Sequence, residues 1–263
     1  MEVTLRRLFL AGAVLVACGT ATAAADDWIE PVDFLRDAEG GRRLYVAGII
    51  GDSFATLATP LGPDGTSTGD PSPSPAANQS LFTAGGAIGL AFEAFDRAWR
   101  VEFEGRGRSN LVSNRISTFD TATVPETYQF TTTATDGWST MANLWRDYEL
   151  SDRLSVYVGG GIGAGGYRFS YHKLDPSNNY QIFTQHTVSD FAWQAGGGTA
   201  YALTDRITLD VGYRFFQIAN GTSTATVSFA PGPPVGSEVV ASAFSASELF
   251  FAIRIYEPFR NWR

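Results

Sequence analysis

Lysine is nearly absent from this 263-residue chain: Lys173 is the only one. A basic surface of the kind that holds nucleic acid is therefore excluded. Cysteine is just as scarce, with Cys18 alone, which rules out a disulfide framework and any thiolate metal cluster. Only two histidines occur, His172 and His186, and charged residues make up 17% of the chain. No stretch reaches the run of about 20 apolar residues that a membrane helix needs. What the sequence has instead is glycine, 28 residues, and aromatics at 13%. Many turns and a partly lipid-facing surface would account for both.

The first 25 residues read as a secretory signal. Arg6 and Arg7 precede the apolar run Leu8 to Ala17, and Ala23-Ala24-Ala25 precedes Asp26. Cleavage is expected between Ala25 and Asp26, which discards Cys18. The run Leu15-Val16-Ala17-Cys18 also resembles a lipobox, so a lipidated start at Cys18 is the competing expectation. The signal contains one Glu and two Arg, so the mature chain carries 26 acidic and 17 basic residues, a formal charge of −9. Residues 26–42 show no alternation and read as a periplasmic lead-in. A barrel domain is expected over 43–259, and 260–263 form a short tail.

The stretch Leu154 to Tyr171, LSVYVGGGIGAGGYRFSY, organises the rest. Its glycines disfavour a helix, whereas period two separates two faces. Leu154, Val156, Val158, Ile162 and Ala164 fall on one face; Ser155, Tyr157, Gly159, Gly161, Gly163 and Gly165 fall on the other. This predicts a transmembrane strand whose glycine face lines a narrow interior. Tyr167, Phe169 and Tyr171 leave the apolar face, which predicts a bulge or a stretch already above the lipid. Similar strands are expected at about 43–56, 81–93, 98–112, 132–150, 188–203, 207–219 and 239–256. Three short turns, all containing Asp-Arg (Asp96-Arg97, Asp152-Arg153, Asp205-Arg206), alternate with four long polar loops near 60–79, 113–131, 172–187 and 220–237. An Asp carboxylate can accept the backbone amides of such turns. The layout predicts an all-β fold: an eight-stranded antiparallel up-and-down transmembrane barrel, with periplasmic turns and extracellular loops.

An arginine facing lipid at the midplane costs about 2–4 kcal/mol, and this fixes the phase of several strands. Trp99, Val101 and Phe103 face out, while Arg100, Glu102, Glu104, Arg106 and Arg108 face in. Ile207, Leu209, Val211, Tyr213 and Phe215 face out, while Thr208, Asp210, Gly212 and Arg214 face in. Leu249, Phe251, Ile253 and Ile255 face out, opposite Glu248, Phe250, Ala252, Arg254 and Tyr256. The first strand, LYVAGIIGDSF, has no clear phase. Trp99, Trp193, Tyr201 and Tyr213 are candidates for the aromatic girdles. The candidate site is a lumen charge network of Arg100, Glu102, Glu104, Arg106, Asp147, Asp210, Arg214 and Arg254. Its mixed signs predict ion pairs filling the interior rather than a pore.

These segments resemble a family. MANLWRDYELSDRLSVYVGGGIGAGGYRF, FAWQAGGGTAYALTDRITLDVGYRFF and the terminal SELFFAIRIYEPF are similar to the small eight-stranded outer-membrane barrels of the OmpA-like and opacity-protein (porin family) type. Asn143, Asp147, Gly159, Gly161, Asp210, Gly212, Tyr213, Arg214 and Arg254 match position by position. The resemblance implies a Gram-negative outer membrane, contact with its lipid and lipopolysaccharide, and insertion by the barrel assembly machinery. It also implies structural or adhesin-like roles through the loops, with host or cell-surface partners. Members usually end on an aromatic; here Phe259 is followed by Arg260-Asn261-Trp262-Arg263.

Enzymatic readings are thin. Ser170 near His172 and Ser189 near His186 suggest a nucleophile and base, as in barrels that hydrolyse lipid A, but the order or the spacing is wrong. Two histidines with Asp175 or Asp190 fall short of a zinc site. GGGIGAGG opens no helix, so it is no phosphate loop. Neither cofactor nor catalytic activity is expected.

Overall fold

The computed structural model describes residues 42–58, 77–94, 97–120, 125–175, 180–219, 221–229 and 234–258. The signal with its Ala25–Asp26 junction and Cys18, nearly all of the lead-in, most of the first loop, and the tail lie outside these residues. The described residues contain strands and no helix: β1 (Arg42–Ala58), β2 (Ala77–Ala94), β3 (Arg97–Arg108), β4 (Leu111–Asp120), β5 (Pro125–Glu149), β6 (Leu154–Asp175), β7 (Tyr180–Ala202), β8 (Ile207–Ile218), β9 (Gly221–Phe229) and β10 (Pro234–Tyr256).

All ten strands belong to one antiparallel sheet. β1 pairs with both β2 and β10, so the path β1-β2-β3-β5-β6-β7-β8-β10 returns to its start. Eight strands lie on this path rather than ten because β4 continues β3 along β5, and β9 continues β8 along β10. Following cross-strand partners from Val46 through Ile88, Phe103, Ala142, Ile162, Trp193, Gln217 and Ser245 leads back to β1 at Thr56, ten residues further on. With strand rise near 3.4 Å and spacing near 4.8 Å, that stagger sets a tilt of about 42°. Each residue then climbs about 2.5 Å along the axis. On β1 the outward apolar residues run from Leu44 to Phe54, a band of about 25 Å, the height of an outer-membrane hydrocarbon layer.

The short turns close with backbone bonds such as Leu150 N to Leu154 O at 2.9 Å and Leu203 N to Ile207 O at 2.9 Å. In the second of these the expected Asp carboxylate is not the cap. The Thr204 hydroxyl accepts the amides of Arg206 (3.3 Å) and Ile207 (3.1 Å) instead.

The other end of the wall departs from expectation. Three segments expected to be loops are largely strand: β4 with the start of β5, the facing ends of β6 and β7, and β9 with the start of β10. The aromatic segment Tyr180 to Phe183 belongs to β7. Threonine-rich runs such as Thr131-Thr132-Thr133 suit strands, but above the lipid nothing forces apolar alternation, so these segments resemble loops in composition. β6 climbs about 20 Å beyond the level of Gly166.

β6 itself has no bulge. Tyr157, Tyr167, Phe169, Tyr171 and Lys173 all stay on the inward face, and Tyr167, Phe169 and Tyr171 sit at or above the upper edge of the band. The irregularity lies next door on β5 between Thr135 and Trp138, where Asp136 has φ 55°. β1 acquires a phase: Arg43, Tyr45, Ile49, Ser53, Ala55 and Leu57 point inward, and Leu44, Ile50 and Phe54 outward. Ile49 and Ile50 serve opposite faces, which is why alternation was not legible there.

Candidate functional site

Among the described residues, most chemistry-bearing side chains converge in the barrel interior, which is layered. At the turn end, Arg100 holds Asp147 with Nε–Oδ2 2.7 Å and Nη2–Oδ1 3.0 Å. Arg254 holds Asp210 at 2.6 and 2.7 Å in the same two-pronged way. This geometry matches the guanidinium fork to both carboxylate oxygens. The two residues are diagonal neighbours on the β8–β10 ladder, where Asp210 lies opposite Ala252 and Arg254 opposite Thr208. Arg43 approaches Glu257 at 3.8 Å beside them.

Above these pairs Glu102 accepts the Tyr45 hydroxyl (2.9 Å) and the Asn143 amide (3.1 Å). Trp145 and Tyr157 pack edge to face with centroids 5.6 Å apart. The glycine face of β6 and its neighbours makes room for them. A Cβ on Gly198 would stand 2.6 Å from the Tyr157 hydroxyl, and one on Gly212 2.8 Å from it.

The next layer is a five-residue cluster centred on Glu248, which is fully buried. Its carboxylate takes Arg108 Nη2 at 2.8 Å, Arg106 Nη1 at 3.2 Å and Arg214 Nε at 2.7 Å. Glu104 bridges Arg106 at 2.8 Å and Arg214 at 2.9 Å. Phe250 lies beneath Arg106 and Arg214 at 5.2 and 5.1 Å, and Phe216 contacts Arg108 at 4.0 Å, so aromatic faces cover the charges on both sides. Gln194 donates to Asn143 at 2.6 Å.

In these layers the charges match in number, Arg43 below them and Lys173 in the loop half standing outside the count. Arg100, Arg106, Arg108, Arg214 and Arg254 face Glu102, Glu104, Asp147, Asp210 and Glu248. No ring of one sign occurs among them.

Towards the loop end the interior turns apolar. Leu57, Leu81, Leu111, Phe130, Met141, Tyr167, Phe169, Tyr171, Val188, Phe216, Ile218 and Phe244 form one buried cluster. Cavities of about 20 Å³ among the lower ion pairs and about 10 Å³ under the apolar cluster interrupt the packing. Each is on the scale of a single water.

The residues of the expected network lie on the inward face. Arg108 and Glu248, expected to face inward but not placed in the network, share its ion pairs. Tyr45 and Ser53 were hidden by the unphased first strand, and Gln194 by its neutral amide. The girdle candidates divide by height. Trp99 and Tyr201 mark the lower edge and Trp193 the upper part, whereas Tyr213 sits mid-wall with its hydroxyl 3.0 Å from Ser247 Oγ. The histidines separate. His186 faces inward, edge-on to Phe169 at 5.1 Å, while Ser189 points to the opposite face. His172 packs against Phe183 at 6.2 Å. Among the described residues no group of three metal-ligating side chains forms.

Known proteins are similar to this chain over part or most of its length. An uncharacterized protein of Brucella abortus is 32% identical over 95 residues, covering 33% of this chain and 32% of that protein. The chain thus spans about a third of the length of the curated relatives it matches. Outer membrane protein PagN of Salmonella typhimurium is 27% identical over 77 residues, 29% of this chain and 32% of PagN. The crystal structure of Neisserial surface protein A superposes with a TM-score of 0.32 at 14% identity, covering 81% of this chain and 96% of that one. The family model for the outer membrane protein beta-barrel domain matches residues 11–230. With well over half the chain matched, this protein belongs to the outer membrane protein beta-barrel domain family, and its place is the outer membrane of a Gram-negative bacterium.

Proposed function

We propose that this barrel is a non-conducting, non-catalytic anchor that carries a β-structured platform at the cell surface for adhesin-like contacts. The observation that carries this reading is the contrast between a filled interior and an extended rim. Arginines and carboxylates interlock across the lumen in pairs and in a shared cluster, an apolar cluster caps it, and strand pairing continues well above the hydrocarbon band. In this reading the short turns face the periplasm and the extended hairpins face outward. Lipopolysaccharide surrounds the outer leaflet, the assembly machinery inserts the chain, and a host or cell-surface partner meets the hairpin tips and the first long loop.

A narrow pore would need a continuous wet path, and the interlocked charges and the apolar cluster above them argue against one. A lipid A-modifying activity would need a nucleophile and a base together. Ser189 and His186 lie on opposite faces of β7, while Ser170 and His172 share the outward face of β6 but stand above the hydrocarbon band and in the reverse order to the lipid A hydrolases.

The test is a planar-bilayer recording on refolded protein, paired with attachment of cells displaying it. The expected result is no stable conductance step and attachment that falls when the tip at 176–179 is replaced by Gly-Ser. A steady ionic conductance would overturn the closed lumen. Unchanged attachment after replacement of the tips and the first loop would overturn the platform.

A further inference from the structure

Arg146 contradicts the rule that phases the rest of the wall. It lies on the outward face of β5, paired with Trp99 of β3 and Val158 of β6, inside the apolar band. Leu144 two residues above it is 47% exposed and Tyr148 two residues below is 39% exposed. Tyr148 stands about 5 Å nearer the turn end, level with Trp99 and Tyr201 at the lower edge. The side chain is held towards that edge. Its guanidinium carbon is 4.6 Å from the Tyr148 ring centroid and 5.7 Å from that of Trp99. Trp99 is itself fixed, its indole N–H donating to the Ala94 carbonyl at 3.2 Å across the β2–β3 turn.

Among the described residues this arrangement leaves a charge without a counter-charge. Arg146 Nε is buried and has no hydrogen-bond acceptor. The carboxylates of Glu93, Asp147 and Glu149 belong to the inward face, and no carboxylate shares the outward face along the lower half of β3, β5 or β6. Arg97, two residues before Trp99 on the same face, adds a second cation at the edge. A planar guanidinium held between two aromatic rings, at the height where hydrocarbon gives way to headgroups, offers paired N–H donors to a phosphate. Its stem stays in the apolar layer while its head reaches the interface, and Trp and Tyr favour that depth.

We infer that Arg146, with Trp99 and Tyr148, forms a binding site for the phosphodiester headgroup of a phospholipid in the periplasmic leaflet. The leaflet rests on the orientation proposed above; the site itself rests on the geometry.

Native mass spectrometry on the full chain in detergent micelles, titrated with dioleoylphosphatidylglycerol, tests this. Arg146→Gln should need about tenfold more lipid than the wild type for half retention, the loss of a charge-assisted contact. Arg146→Lys should fall between them, because it keeps charge without the fork, and Trp99→Ala should weaken retention. Diacylglycerol, which lacks the phosphate, should be retained poorly. Millimolar inorganic phosphate should not displace the bound phospholipid, which separates a lipid site from a free-anion site. A heat-dependent gel shift verifies folding. If Arg146→Gln does not fold, Arg146→Lys and Trp99→Ala carry the comparison. Wild-type retention by folded Arg146→Gln, or by both other variants, would overturn the site, as would equal retention of diacylglycerol. Preference for lipid A, lost in the same variants, would overturn the leaflet and hence the orientation while leaving the phosphate contact standing.

Discussion

The two halves of the barrel interior solve the same filling problem with opposite chemistry. The turn half uses arginines and carboxylates in two-pronged pairs; the loop half uses leucines, phenylalanines and tyrosines. Both fill the interior with side chains, but they differ in what holds them. An apolar cluster loses stability in proportion to the volume removed. A buried charge cluster is all or nothing, because each missing partner strands a charge in a secluded place. The charged half should therefore respond sharply to loss of a single partner, and the apolar half in a graded way.

Glu248→Ala should break this comparison hardest. Three arginines share that carboxylate, and removing one partner of a buried pair costs about 3–5 kcal/mol. Urea unfolding in lipid vesicles should show the largest drop of any single lumen variant. A drop smaller than that of an apolar truncation would mean that water screens the cluster. Phe169→Ala tests the other half. Phe→Ala in a packed core costs about 3–5 kcal/mol, towards the low end where an exposed rim can collapse into the gap. Paired with Tyr171→Ala, it should let a small dye reach the upper lumen, yet conductance should stay absent, because the charge layer below remains. Steady current through the double variant would place the seal in the apolar half alone.

The wall offers an intermediate test. Val211 is 45% exposed on the lipid face, so Val211→Arg should cost about 2–4 kcal/mol near the middle of the layer. Thr208→Arg, on the inward face near the turn, should fold better. Equal folding yields in vesicles would contradict the phase of β8.

How much of this was legible in the sequence follows from the same contrast. Inside the hydrocarbon, lipid punishes polar residues on one face, so β3, β8 and β10 display their inward and outward sets plainly. Arg100, Glu102 and Glu104 against Trp99, Val101 and Phe103 is the clearest case. β1 carries Ile49 inward and Ile50 outward, and no alternation marks such a strand. Above the band water meets the outer face, so Thr131 to Thr133 and Gly221 to Phe229 look like loop and fold as strand. The network itself was partly legible, because alternation places charges on a face but does not say which carboxylate three arginines will share.

A smaller effect sharpens the difference between a coupled cluster and an isolated pair. Asp210 and Arg254 contact each other through both prongs. Asp210→Ala should lower the unfolding midpoint clearly, and adding Arg254→Ala should recover part of the loss, since no orphan charge remains. The corresponding repair at Glu248 would require removing several arginines at once.

The smallest expected effect lies at the border between membrane wall and rim. Asp136 holds a positive φ of 55° where β5 gains one residue over β6 between Thr135 and Trp138. Its carboxylate reaches Arg168 at 3.3 Å, but both side chains are more than half exposed, so the ion pair contributes little. The backbone is what this position must satisfy. Asp tolerates the left-handed region better than most residues, and Gly better still. Asp136→Gly should therefore leave the unfolding midpoint nearly unchanged, while Asp136→Ala should cost about 1 kcal/mol for the strained conformation. Arg168→Ala, which removes the pair and leaves the backbone alone, should be close to silent. If Arg168→Ala matched Asp136→Ala, the exposed pair rather than the bulge would be holding the rim to the wall, and the border would belong with the charge-held half of the molecule.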